Sequence, residues 1–199
     1  MKLPNRPNIT DEETDKVVAR IFGGAEFVPV LLVVGVRGYF LNSVGKPGEN
    51  DLNLWDDAIL VYYDSVLVKT FNANTDPSKH NQKLAMLDAG LYEFYQGTHK
   101  ERIKAFRAYP EGVELPCKRQ QFDGSWVKSK CSAINIHDGA FNDTWSAGCQ
   151  TVINQTPHKQ FDEFRDLVYD LMDANKMKTF KYLLLEESDV RAILEETRS

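Results

Sequence analysis

Two runs rich in valine, isoleucine and aromatic residues, 58–63 and 66–71, stand only two residues apart, with Asp64-Ser65 between them. Such runs favour a pleated surface, and so short a connection makes an antiparallel hairpin the natural assignment, although Asp-Ser is a weaker turn than Asp-Gly. Other segments repeat the signal. Residues 27–40 are rich in valine and aromatics and read as strand, with Gly35 and Gly38 marking places where a backbone bends or passes closely. Segments 90–95, 103–109 and 180–185 also read as strands, and 118–130 reads as a polar excursion around Asp123-Gly124.

Helical signals sit near both ends. Thr10-Asp-Glu-Glu13 has the form of a capping box, Val17, Val18, Ile21 and Phe22 share one helical face, and Gly23-Gly24 supplies a stop. Later, Thr156 is placed to cap a helix with Pro157 in its first turn, and Phe161, Phe164, Leu167, Val168, Leu171 and Met172 repeat at helical spacing. Ser188 is placed to cap a closing helix through Ile193 and Leu194. Residues 43–53 and 72–82 read as loop and turn. With no internal repeat, the pattern is α+β.

The length of 199 residues suits one globular unit, divided as a helix-and-strand extension over 1–50 and a domain over 51–199. Apolar residues at 42% and charged residues at 27% exclude a disordered chain. With 24 Lys+Arg against 29 Asp+Glu, and no basic run, a nucleic-acid partner is not expected. The most apolar stretch, 27–36, contains Pro29 and falls well short of the roughly 20 residues of a membrane-spanning helix. The N-terminus has no apolar signal core, so synthesis in the cytoplasm is expected, and the chain is separately expected to be a monomer. Cys117, Cys131 and Cys149 are odd in number and irregular in spacing. They suggest neither a disulfide framework nor a zinc knuckle, and the expectation is three thiols in a reducing compartment.

The chemistry concentrates in 131–152. Ile134 and Ile136 alternate with Asn135 and His137, so a strand would bury the isoleucines and turn the polar pair to its other face. Asp138-Gly139 is placed to end that strand with His137 at its mouth. Cys149 follows Ser146-Ala-Gly and precedes another β-prone run, where its sulfur and nearby backbone amides are accessible. An unperturbed cysteine, pKa ~8.5, is mostly protonated at neutral pH. An imidazole within reach takes that proton, and the resulting pair attacks a carbonyl and later protonates the leaving amine.

Ser146-Ala-Gly-Cys149 after an upstream Ile-His-Asp resembles the signature of the L,D-transpeptidase catalytic domain, a histidine, a loop and then Ser-x-Gly-Cys. Asp88-Ala-Gly-Leu-Tyr92 resembles that family's glycine-plus-aromatic strand, where Pro-x-Gly-x-Tyr is common. The resemblance covers about 58–152 and implies a β-sandwich-like catalytic fold with the terminal helices packed on it. It further implies a peptidoglycan stem peptide as substrate and a thioester acyl-enzyme. Cys149 becomes the nucleophile and His137 the general base, with Asp138 orienting the imidazole through its backbone carbonyl or its carboxylate. The amides of Gly148 and Cys149 form part of the oxyanion hole, and Ser146 holds the loop or contacts substrate. No cofactor or metal is implied.

The chain departs from that pattern at Ala147, where many members have histidine, and at Thr151, where many have arginine. A substrate carboxylate must then meet another cation, and Arg107 is the candidate. Tyr92, Trp145 and His99 are candidates for lining the substrate cleft, whereas His80 and His158 read as solvated. The absence of an export signal is similar to phage-encoded lysins, which remain in the host cytoplasm until released to the wall; there water resolves the thioester. Two rival readings compete with this one. The first is a zinc hydrolase using His99, His137, Cys149 and Asp143, although no compact ligand pair is present. The second is a non-catalytic wall-binding or virion protein.

Overall fold

Both residues of the expected turn, Asp64 and Ser65, have positive φ (48° and 64°), the geometry that lets a two-residue connection follow the twist of its strands. The computed structural model describes residues 3–41, 52–78, 84–140 and 143–198. In chain order the strands are β1 (Arg6–Pro7), β2 (Leu31–Val36), β3 (Phe40–Leu41), β4 (Asp57–Tyr63), β5 (Val66–Asn74), β6 (Ala85–Leu87), β7 (Gly90–His99), β8 (Ile103–Ala108), β9 (Leu115–Gln120), β10 (Trp126–Cys131), β11 (Asn135–Gly139), β12 (Gln150–Ile153) and β13 (Phe180–Leu185). The helices are α1 (Asp11–Phe22), α2 (Gln160–Ala174) and α3 (Glu187–Arg198). The fold is α+β. Most of the expected 43–53 loop, and His80, lie outside the described residues.

Eight strands close into a barrel in the order β11-β12-β5-β4-β2-β13-β7-β8. The pairing of β8 with β11 closes it, through Arg107 opposite Asn135 and Phe106 opposite Ile136. The layers expected as a sandwich are thus parts of one continuous sheet. Period-2 alternation gives this sheet two apolar faces. Leu31, Val33, Ile59, Val61, Phe71, Phe94, Phe106, Ile136, Val152 and Tyr182 pack on the inner face with Phe161, Phe164, Val168 and Met172 of α2. Leu32, Val34, Leu60, Tyr62, Leu183 and Leu185 point outward beneath Val17 and Val18 of α1 and Val190 and Leu194 of α3. β2 is buried along its whole length between β4 and β13, so a division at residue 50 runs through the barrel. A Cβ at Gly35 would collide with the Tyr182 hydroxyl, which explains why the middle of this valine-rich strand carries a glycine.

The capping box at Thr10 and Glu13 is present, and Gly23 ends α1 in the left-handed conformation (φ 82°). Four expectations need correction. The polar stretch 118–130 is a hairpin of β9 and β10, which joins β6 in a three-stranded sheet. Lys118 and Lys128 face each other on one side, while Cys117, Leu115 and Cys131 lie on the other and bury; exposure of one face masks the strand signal. On that buried face Cys117 and Cys131 are diagonal neighbours, Cα atoms 5.9 Å apart, and form a disulfide rather than two thiols. Cys149 is the free cysteine. Finally, α2 starts at Gln160 behind Lys159, with no side-chain cap, because 155–158 form a turn closed by a bridge between Gln155 and His158. Ser188 lies inside the first turn of α3 instead of capping it.

Arg37, 1% exposed, ties several strand ends together. Its Nε lies 3.0 Å from Asp76 Oδ1, its Nη1 pairs with Glu186, and its Nη2 donates to the carbonyls of Thr75 (3.2 Å) and Leu87 (2.8 Å). Asp57 accepts from the Gly38 amide (2.8 Å) and from the Thr75 amide and hydroxyl (2.6 and 2.8 Å). Burial, followed by the neighbouring charges of Asp56 and Asp76, raises the Asp57 carboxyl well above the usual carboxylate range. Among the described residues no helix is long and apolar enough to cross a membrane.

Candidate active site

β11 and β12 are parallel neighbours, with His137 opposite Thr151 and Ile136 opposite Gln150. Cys149 stands just before β12 begins, beside the β11 strand that carries His137. The alternation read from the sequence holds: Ile134 and Ile136 bury in the core, while Asn135 and His137 take the opposite, outward face. His137 does not sit at the strand's mouth as expected. β11 continues through Asp138 and Gly139, which pair with Val152 and Ile153, so His137 is its central residue and is held from both sides.

Local hydrogen bonds shape the turn before the cysteine. The Ser146 hydroxyl accepts from the Gly148 amide (3.0 Å) and donates to the Cys149 carbonyl (2.6 Å). Its own amide donates to Ser78 Oγ (2.5 Å), and its carbonyl accepts from the Ser78 amide (2.7 Å). Ser78 Oγ also shares a 2.6 Å bond with the Thr144 hydroxyl, and the Thr144 amide donates to Asn53 Oδ1 (3.1 Å). Gly148 has φ 150°, and a Cβ there would stand 2.8 Å from both the Cβ and the carbonyl oxygen of Ala85. Only glycine lets this turn lie against β6, where the Ala85 amide donates to the Ala147 carbonyl (2.8 Å). Ser146 thus holds the loop, which is one of its two expected roles.

The imidazole of His137 is 3% exposed, and its Nδ1–H donates to the Asp138 carbonyl (2.7 Å), which directs Nε2 toward the Cys149 sulfur. The Asp138 carboxylate lies 3.8 Å from Nδ1, beyond hydrogen-bond distance, so orientation comes from the backbone and the side chain contributes charge. Burial pulls the His137 pKa down, but Asp138 and the Cys149 sulfur outweigh it and hold the imidazole proton up to about 9. Cys149 is half-buried, with its sulfur 3.8 Å from the Ala133 carbonyl. The Gly148 amide is already used by Ser146, which corrects its expected place in an oxyanion hole. The Cys149 amide makes no hydrogen bond among the described residues and remains available.

His99, at the end of β7, stacks on His137 with ring centroids 4.2 Å apart and planes 15° apart. Its Nδ1 lies 2.9 Å from the Asn135 side-chain amide. Burial, the His137 charge and Lys100 push the His99 pKa down to about 4, so it is neutral beside a protonated neighbour. One ligand atom from each of His99, His137 and Cys149 falls within 4.8 Å of the others. Asp143, the fourth ligand of the zinc reading, is not in this group; its carboxylate accepts from the Trp145 amide (2.9 Å).

The remaining expected residues divide. Trp145 is 60% exposed in the segment before Cys149, with Lys100 Nζ 5.9 Å from its ring centroid. Arg107 shares the outer face and lies opposite Asn135, but its guanidinium pairs with Glu111 (2.9 Å). Tyr92 is a correction. It lies opposite Tyr182, on the inner face, packs on the core and donates to the Asp88 carbonyl (2.6 Å). Sequence reasoning assigned no role to Asn135, although the alternation places it beside His137. Nothing local marked Ser78, Asn53 or Ala133, whose roles come from tertiary contact. Compared with known proteins, the sequence matches no family model and no curated protein.

Proposed function

We propose that this protein is a cysteine acyl-transfer enzyme that cleaves peptidoglycan stem peptides, in the manner of a phage lysin. The observation that carries the reading is the imidazole of His137, anchored through Nδ1 and facing the one free thiol at a half-exposed position. In this mechanism the Cys149 thiolate attacks a peptide carbonyl, and the Cys149 amide donates to the resulting oxyanion. Imidazolium at His137 protonates the departing amine, leaving a thioester and a neutral imidazole. That imidazole then takes a proton from water, which attacks the thioester and frees the acid. An acceptor amine in place of water turns the same steps into cross-link exchange. The wall substrate, like an L,D-transpeptidase-type architecture, rests on the resemblance of Ser146-Ala-Gly-Cys149 and the upstream histidine. Synthesis in a host cytoplasm, later release to the wall and a monomeric state belong to the same reading.

The test is to incubate the purified chain with defined muropeptides and identify products by mass spectrometry. Shortened peptides indicate hydrolysis, and new cross-linked species indicate transfer. Cys149→Ala abolishes both while the circular dichroism spectrum stays unchanged, and His137→Ala lowers the rate by a factor on the order of 10² or more. Near-normal turnover by either variant refutes the assignment.

A further inference from the structure

A thiol–imidazole pair needs one imidazole, yet a second lies flat against it. His99, His137 and Cys149 come from three separate segments, the end of β7, the middle of β11 and the loop before β12, and each brings one ligand atom to within 4.8 Å of the other two. Two imidazole nitrogens and a thiolate make a donor set suited to zinc, whereas magnesium and calcium take oxygen ligands. Donor atoms around tetrahedral zinc stand roughly 3.3–3.6 Å apart, given Zn–N and Zn–S bonds of about 2.0–2.3 Å. An imidazole binds a metal in its own ring plane, so the two rings that now stack must part, His99 turning about its side-chain torsions out of its 15° alignment with His137 as the three donors close on the ion.

We propose that His99, His137 and Cys149 form a three-ligand zinc site with an open fourth position, and that bound zinc holds the thiol chemistry off. This rests on reading Cys149 as the nucleophile. The surrounding contacts already suit such a site. The Nδ1–H of His137 is fixed on the Asp138 carbonyl at 2.7 Å, the outer hydrogen bond that metal-bound histidines generally make, and it leaves Nε2 to the metal. For His99 to bind through Nε2, its proton must sit on Nδ1 and meet an acceptor. The Asn135 side chain lies 2.9 Å from that atom, and its carbonyl oxygen is buried without a hydrogen-bond partner among the described residues. Turning that amide over brings the carbonyl to the His99 Nδ1–H. Coordination forms one Zn–S and two Zn–N bonds and expels to solvent the one proton that Cys149 and His137 share; no electron is transferred. With the sulfur and Nε2 both engaged, neither attack nor proton delivery can occur, and a chelator restores both as a proton returns.

The experiment uses the full chain, disulfide intact and free of thiol reductant, with cobalt(II) as a spectroscopic stand-in and zinc as competitor. One equivalent of cobalt is expected to give a thiolate-to-metal charge-transfer band and an intense tetrahedral spectrum, both displaced by zinc. Cys149→Ser abolishes the charge-transfer band. His99→Ala and His99→Gln each weaken zinc binding by at least the roughly 10- to 100-fold that loss of an outer-sphere partner causes. Zinc also shields Cys149 from alkylation in the wild-type chain, and a chelator reverses this. Absence of the charge-transfer band, or unchanged affinity in both His99 variants, overturns the site. Zinc-dependent turnover that a chelator removes overturns the inhibitory role. None of the binding readouts needs peptidoglycan, so they are independent of the substrate assignment. A metal-free Cys149 inert to alkylation counts instead against its reading as nucleophile.

Discussion

Removing the Ser146 hydroxyl isolates the internal bracing of the turn that presents Cys149. Ser146 is 4% exposed, and its Oγ accepts from the Gly148 amide at 3.0 Å while donating to the Cys149 carbonyl at 2.6 Å. In Ser146→Ala the Gly148 amide is left buried beside Ala85 with no acceptor, at a cost of about 1–3 kcal/mol. The Cys149 carbonyl belongs to a half-buried residue that water reaches, so its loss is nearer the net worth of one hydrogen bond, about 1 kcal/mol. The total, about 2–4 kcal/mol, lowers Tm by roughly 4–16 °C for a chain of this size. Because the damage is confined to the turn that presents the sulfur, alkylation of Cys149 also changes rate at temperatures where the rest of the molecule stays folded. The assay is a thermal melt by circular dichroism beside timed alkylation, with Ser146→Thr as the variant that keeps a hydroxyl. A melt within 1 °C of wild type, together with a raised KM and unchanged kcat, would refute the bracing role and make the hydroxyl a substrate contact.

Two further outcomes follow from the same contacts. His137 holds its proton up to about pH 9, so activity that needs imidazolium persists below that value and falls as pH rises through it. Asp138→Asn removes a negative charge that favours the proton but keeps the backbone acceptor, so the alkaline limb of the kcat/KM profile moves to lower pH; an unmoved limb refutes the charge argument. Arg37→Ala takes the buried guanidinium away from the Asp76 and Glu186 carboxylates and is expected to destabilise the fold by about 3–5 kcal/mol, read from urea denaturation, whereas a change under 1 kcal/mol would show that the pairing is not structural.

Legibility in the sequence followed the range of the interactions involved. The hairpin at Asp64-Ser65, the strand at 180–185 and the first helix each announce themselves within a dozen residues, through alternation, a two-residue turn or a capping box. The β9–β10 hairpin was missed because its outward face carries Lys118, Lys128 and Lys130, and a strand half covered in lysine resembles a loop. The Cys117–Cys131 bond depends on that hairpin and was missed with it. Closure of the barrel through β8 and β11 joins segments whose register no local pattern encodes. Within the site, His137 and Cys149 were legible because the Ile134/Ile136 alternation and the Ser146-Ala-Gly-Cys149 turn are local. The stacking of His99, the inward turn of Tyr92 and the engagement of Arg107 with Glu111 all depend on where β7 and β8 lie relative to β11.

The connection between the two site strands shows why these nonlocal contacts matter. Residues 140–149 have a reach of about 33 Å at full extension, while the return along a five-residue strand is about 16 Å. Chain length therefore leaves the cysteine free to stand in many places, and its position must be set by anchors. Asn53 holds Thr144, Ser78 holds Ser146, and the Ala85 amide holds Ala147. Two of these anchors belong to segments that the buried Arg37 fixes by their carbonyls, at Thr75 three residues before Ser78 and at Leu87 two residues after Ala85. A guanidinium at the far end of β2 thereby shares in placing the sulfur, although it takes no part in the chemistry. Arg37 thus grips, by their carbonyls, two segments that also carry anchors of the cysteine turn, which a hydrocarbon side chain filling the same space would not do.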